Sequence, residues 1–69
     1  MIEATYQHKS GDIFELWTSK HGVPRITRCK ASGEALISFE FPSETARTQA
    51  INEAVARGSI TLVTKERES

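Results

Sequence analysis

Ile2, Ala4 and Tyr6 alternate with Glu3, Thr5 and Gln7 at the start of the chain. A period of two assigns the two sets to opposite faces of a half-buried strand. Lys9-Ser10-Gly11-Asp12 interrupts the pattern as a turn. Ile13 to Thr18 is rich in β-formers and predicts a second strand, so the first two should form a hairpin. Ser19-Lys20-His21-Gly22 is the next turn, and Val23 to Lys30 predicts a third strand. Pro24 falls near its start, where the missing donor is tolerated. After Ala31-Ser32-Gly33-Glu34, Ala35, Ile37, Phe39 and Phe41 alternate with Leu36, Ser38 and Glu40. This fourth strand is the most apolar of the chain, which predicts a central place in the sheet.

At Pro42-Ser43-Glu44 the period changes. Ser43 suits an N-cap, and Glu44 suits the positive end of a helix. Ala46, Ala50, Ile51, Ala54 and Val55 recur at helical spacing, while Arg47, Asn52, Glu53 and Arg57 are assigned to the polar face. Glu53 precedes Arg57 by four residues, the favourable order for an ion pair. Gly58 fits the residue after the helix end. The spacing predicts a helix from about Ser43 to Arg57. Ile60 to Val63 predicts a short last strand, and the charged segment from about residue 65 is expected to fray. No internal repeat is read in the chain.

The fold class is therefore α+β: an antiparallel β-meander with one α-helix on one face and a short final strand, in the order β-β-β-β-α-β, as a single domain over residues 1–69. Tyr6, Phe14, Leu16, Ile37, Phe39, Phe41, Ile60 and Leu62 are the candidate core. A single alanine-rich helix can cover only one face of such a sheet. If Phe14 and Leu16 point inward, Ile13 and Trp17 lie on the other face.

Composition narrows the function. The 69 residues hold nine basic and nine acidic side chains, whose charges cancel. Nucleic-acid domains are usually clearly basic, so at most weak nucleic-acid binding is expected. Cys29 is the only cysteine, which excludes an internal disulfide and suits a reducing compartment. With no membrane-length apolar run and no leader-like opening segment, a cytoplasmic location without membrane contact is expected. His8, His21 and Cys29 show no ligand or triad spacing. Neither metal, cofactor nor catalysis is expected, and Cys29 reads as an inert, half-buried thiol. A chain this small also has reason to gain burial from a second copy, so a homodimer through sheet faces or edge strands is expected.

Two features suggest a contact surface. Between Glu15 and Glu34 there is no acid, while Lys20, Arg25, Arg28 and Lys30 all fall there. These charges either solvate an edge strand and discourage aggregation, or meet an anionic partner. Trp17, the only tryptophan, is either partly core or an interface anchor. Ile13, Trp17, Lys20, Arg25, Arg28 and Lys30 are the candidate partner-binding residues. Arg25 shares a face with Val23 and Thr27, and Arg28 with Ile26, so the third strand leaves open which arginine joins Trp17.

The run from Leu36 to Ala46, followed by a short alanine-rich helix, Gly58 and a last strand, resembles small phage-encoded host-modulating proteins such as RNA polymerase inhibitors and anti-CRISPR proteins. The resemblance is architectural and spans roughly residues 36–64. It implies a non-enzymatic protein that binds and inhibits a host protein by steric occlusion. The sheet-plus-helix pattern is also similar to the arm-binding domains of tyrosine recombinases, in which an exposed sheet face enters the DNA major groove. That alternative would assign Trp17, Arg25 and Arg28 to DNA, but zero net charge and the extra last strand depart from it. A third reading is a structural subunit that assembles through edge-strand pairing.

Overall fold

A computed structural model describes residues 2–65. It contains strands β1 (Ile2–His8), β2 (Ile13–Thr18), β3 (Pro24–Cys29) and β4 (Ala35–Glu40), helix α1 (Glu44–Ala56) and strand β5 (Ile60–Lys65). The five strands form one antiparallel sheet in the order β4-β3-β2-β1-β5. The meander carries the chain to one edge of the sheet. Helix α1 then crosses one face and delivers β5 to the opposite edge, beside β1. The expected α+β fold is the one observed. Of the charged tail, only Lys65 lies within the described residues, where it ends β5.

One turn design makes all three hairpins. His8, Ser19 and Lys30 each donate their N–H to the carbonyl four residues on, and each accepts from the glycine three residues on. Gly11, Gly22 and Gly33 hold φ of 100°, 82° and 103°, a region in which other residues are strained. A three-residue loop closed by a left-handed glycine is a common hairpin connection. The three glycines recur every eleven residues, so the turn-and-strand unit does repeat, contrary to the expectation of no repeat.

Helix α1 follows its signals. The Ser43 hydroxyl accepts from the Ala46 N–H at 3.1 Å, and Arg57 is the C-cap, followed by Gly58 at φ 78°. Glu53 accepts from Gln49 Nε2 at 3.5 Å in place of the expected Arg57 partner. The helix packs over Ala4, Leu16, Ile26 and Ile60 through Ile51, with Tyr6, Phe14, Phe41 and Ala54 half-buried around them.

Three expectations about the core require correction. β4 is an edge strand, not a central one, and all six of its residues are exposed. Its apolar content reflects one helix-facing row without a neighbour on its outer side. Accordingly Ile37, Phe39 and, on the other edge, Leu62 are exposed and do not belong to the buried core. The third correction is Arg47. It is only 3% exposed and lies on the core side of the helix, not on its polar face.

Two of the three register shifts in the sheet decide which residues share a face near the helix and near β4. The register shift between Arg28 and Cys29 leaves Leu36 unpaired and turns Ala35 to the face opposite Ile37 and Phe39. A second shift, between Ile2 and Ala4, lets Glu3 reach the helix side, where it meets Thr18 and Arg47.

Candidate functional site

Alternation along β2 puts Phe14 and Leu16 under the helix and Ile13, Glu15 and Trp17 on the opposite face. The pairings Trp17–Arg25, Glu15–Thr27 and Ile13–Cys29 carry that face into β3, and Thr27–Ser38 and Arg25–Glu40 carry it into β4. Among the described residues, no element covers this open face.

A polar chain crosses it. The Trp17 indole Nε1 donates to Thr27 Oγ1 at 2.8 Å. The Arg25 guanidinium lies 5.3 Å from the Trp17 ring centroid, within cation–π range. Arg25 donates through Nε and Nη2 to Ser38 Oγ at 3.3 and 3.1 Å, and through Nη1 to the Glu40 carboxylate. Thr27 and Ser38 hydroxyls stand 3.5 Å apart. Trp17 and Arg25 are therefore held by side chains from three strands while remaining half-exposed. Fixing such side chains before contact lowers the ordering cost of binding.

The structure divides the six candidate residues. Ile13, Trp17 and Arg25 share the open face. Arg28 lies on the helix side, 5.4 Å over the Phe14 ring, and donates to Asp12 Oδ2 at 2.8 Å. Lys20 and Lys30 lie in the turns at opposite ends of β3, and Lys30 stands 3.7 Å from Glu34. The basic stretch is thus spread over two faces and two ends, with Arg25, Arg28 and Lys30 each beside a carboxylate. β3 is also an interior strand, which removes the reading of its charges as edge protection.

Beneath the pair sits a residue that sequence reasoning assigned elsewhere. Arg47 Nη1 donates to the backbone carbonyls of Trp17 and Arg25, at 2.8 and 3.2 Å, and Nη2 pairs with Glu3 Oε1 at 2.8 Å. The helix is thereby tied to the carbonyls of the two residues whose side chains organise the open face. Arg47 is a positioning residue for that face. Its signal was in the helix spacing: Arg47, Ile51 and Ala54 fall at i, i+4 and i+7, one stripe. Glu3, which accepts from Thr18 Oγ1 at 2.5 Å, is held below the usual carboxylate pKa, first by that bond and then by Arg47, against an opposing effect of burial.

Groups capable of chemistry are placed as follows. Cys29 is buried, more deeply than expected, and its thiol lies 3.7 Å from Glu15 Oε1. Burial, and secondarily the Glu15 charge, raise its pKa, so the thiol stays protonated near neutrality and is a poor nucleophile. His8 Nδ1 lies 2.9 Å from Ser10 Oγ, but Nδ1 also accepts from the Ser10 backbone N–H, which makes this a local turn contact. Among the described residues, no three of His, Cys, Asp and Glu converge as a metal site. No described helix is long and apolar enough to cross a membrane.

Compared with known proteins, the chain matches no family model, no curated protein and no solved structure. The functional reading rests on the geometry of this face.

Proposed function

We propose that the chain is a small non-enzymatic module that engages a protein partner through the open face of its sheet, with Trp17 as the anchor. The observation that carries the reading is the pre-set pair of Trp17 and Arg25. Both are held by Thr27, Ser38 and Glu40 on a face that no element among the described residues covers. Trp and Arg are over-represented among residues that dominate interface energetics, especially where they are rigid and surrounded by tolerant contacts. Thr5, Gln7 and Thr61 fall on the same face across β1 and β5 and supply a polar surround.

The mechanism is steric occlusion of a host protein in a cytoplasmic setting, in the manner of the small phage-encoded inhibitors that the segment from Leu36 to Ala46 resembles. No bond needs to be made or broken. Nucleic acid is disfavoured because three of the four cations between Lys20 and Lys30 stand beside carboxylates and do not form one stripe.

Paired capture from a bacterial lysate tests this, with wild-type and Trp17→Ala chains as baits. The expected result is a protein held by wild type and lost from the variant, whose own activity falls when the purified chain is added stoichiometrically. Capture that vanishes on nuclease treatment would instead support the recombinase-like alternative. A protein held equally by both baits would remove the open face from the account.

A further inference from the structure

The outer edge of β4 carries a geometry that goes beyond the open face and does not depend on it. Antiparallel ladders alternate hydrogen-bonded and non-hydrogen-bonded pairs. The Phe41 N–H donates to the Pro24 carbonyl at 3.0 Å, in the same register as the β3–β4 ladder. The alternation therefore turns the backbone groups of Phe39 and Ile37 toward β3, and those of Ser38 and Glu40 outward. The edge is apolar on its helix side, with Ile37 and Phe39 exposed to 50% and 42%. Phe39 also lines an apolar cavity of about 190 Å³ with Phe14, Ile26, Phe41, Ala50 and Ile51.

Edge strands are normally blunted by lysine, proline or a bulge. β4 holds no lysine or proline, and its one bulge, at Leu36, leaves Ile37 to Glu40 in regular register with β3. The opposite edge, β5, has its own bulge and ends on Lys65.

We propose that this edge takes a second copy of the chain, through antiparallel β4–β4 pairing about a two-fold axis at Ser38. Parity and charge select this register. Opposed residues in an antiparallel pair face the same side, so the axis must pass through a residue. An axis at Ile37 would oppose Glu34 to Glu40 of the second copy. An axis at Phe39 would draw Pro42, which has no N–H, into the ladder opposite Leu36. At Ser38, the two Ser38 residues exchange both backbone bonds. Ile37 then stacks against Phe39 of the second copy on the helix side, twice by symmetry. Glu40 faces Leu36, and no like charges are opposed. The result is a continuous ten-stranded sheet with both helices on one side, and it leaves Trp17 outside the interface.

Sedimentation at high micromolar concentration, together with residue-resolved amide exchange of the wild-type chain, tests the pairing. A two-copy mass is expected, with the Ser38 and Glu40 amides slowing as concentration rises. The amide of Leu62, which the ladder turns outward on the β5 edge, serves as the control and should not change. Ile37→Lys places an ammonium against Phe39 and should weaken association about tenfold or more. A monomeric mass, protection gained at Leu62 and not at Ser38, or undiminished association of Ile37→Lys would each overturn the pairing. The exchange result needs no variant, so it stands even if Ile37→Lys fails to fold.

Discussion

The two faces of this sheet are built by different forces. On the helix side, Ala4, Leu16, Ile26, Ile51 and Ile60 exclude water, and one buried arginine ties the helix to the strands. On the open side, order comes from hydrogen bonds and stacking among Trp17, Thr27, Ser38, Arg25 and Glu40, all of them intermediate or exposed. Burial of apolar surface dominates folding, whereas exposed polar networks contribute little to it. The difference teaches that the open face is ordered by contacts that contribute little to stability. An ordered but weakly stabilising surface is what pre-set recognition needs.

The comparison predicts a graded set of outcomes. Ile26→Ala, under the helix, should cost about 3 kcal/mol in chemical denaturation, because it removes packed methyl groups from a position only 4% exposed. Arg47→Ala should cost about 2 kcal/mol, from lost charge-assisted bonds to the Trp17 and Arg25 carbonyls and to Glu3. Arg47→Lys should rescue little, since a single ammonium cannot span acceptors that a guanidinium fork reaches together.

Acid should act on the same clasp. The folded-state pKa of Glu3 is depressed, so its stabilisation is present above the ordinary carboxylate range and is lost as pH falls through the lowered value. Glu3→Gln should flatten the acid limb of a pH series of melting temperatures. The smallest effect belongs to the open face. Glu40→Gln, at an exposed ion pair, should change stability by less than about 0.5 kcal/mol. It should nonetheless loosen Arg25 over the indole, seen as a change in Trp17 fluorescence anisotropy.

Local features were legible in the sequence, and long-range ones were not. Ser43 and Gly58 marked the helix ends because capping chemistry is local. Ile13 and Trp17 were assignable to the open face because alternation along β2 is unbroken. The face of β3 was ambiguous, since Arg25 and Arg28 both alternate with apolar neighbours, and only pairing with Trp17 and Phe14 decides between them. Strand order was misread at β4 because apolar content was taken as a sign of burial, whereas Leu36, Ile37 and Phe39 stay exposed on a sheet edge. The bulges that turn Ala35 away and bring Glu3 to Arg47 leave no composition signal.

The central claim is that Trp17 serves recognition more than folding, and one pair of variants tests it. Trp17→Ala and Ile26→Ala are unfolded in denaturant and, in parallel, titrated against the captured partner. Trp17→Ala is expected to lose about 1–2 kcal/mol of stability, remain folded, and lose about 2 kcal/mol or more of binding free energy. Ile26→Ala is expected to show the reverse balance, with near-normal affinity in its folded fraction. A loss of roughly 3–5 kcal/mol of stability in Trp17→Ala, the range of a core aromatic, would contradict the account. So would a folded Trp17→Ala chain that binds its partner as tightly as wild type.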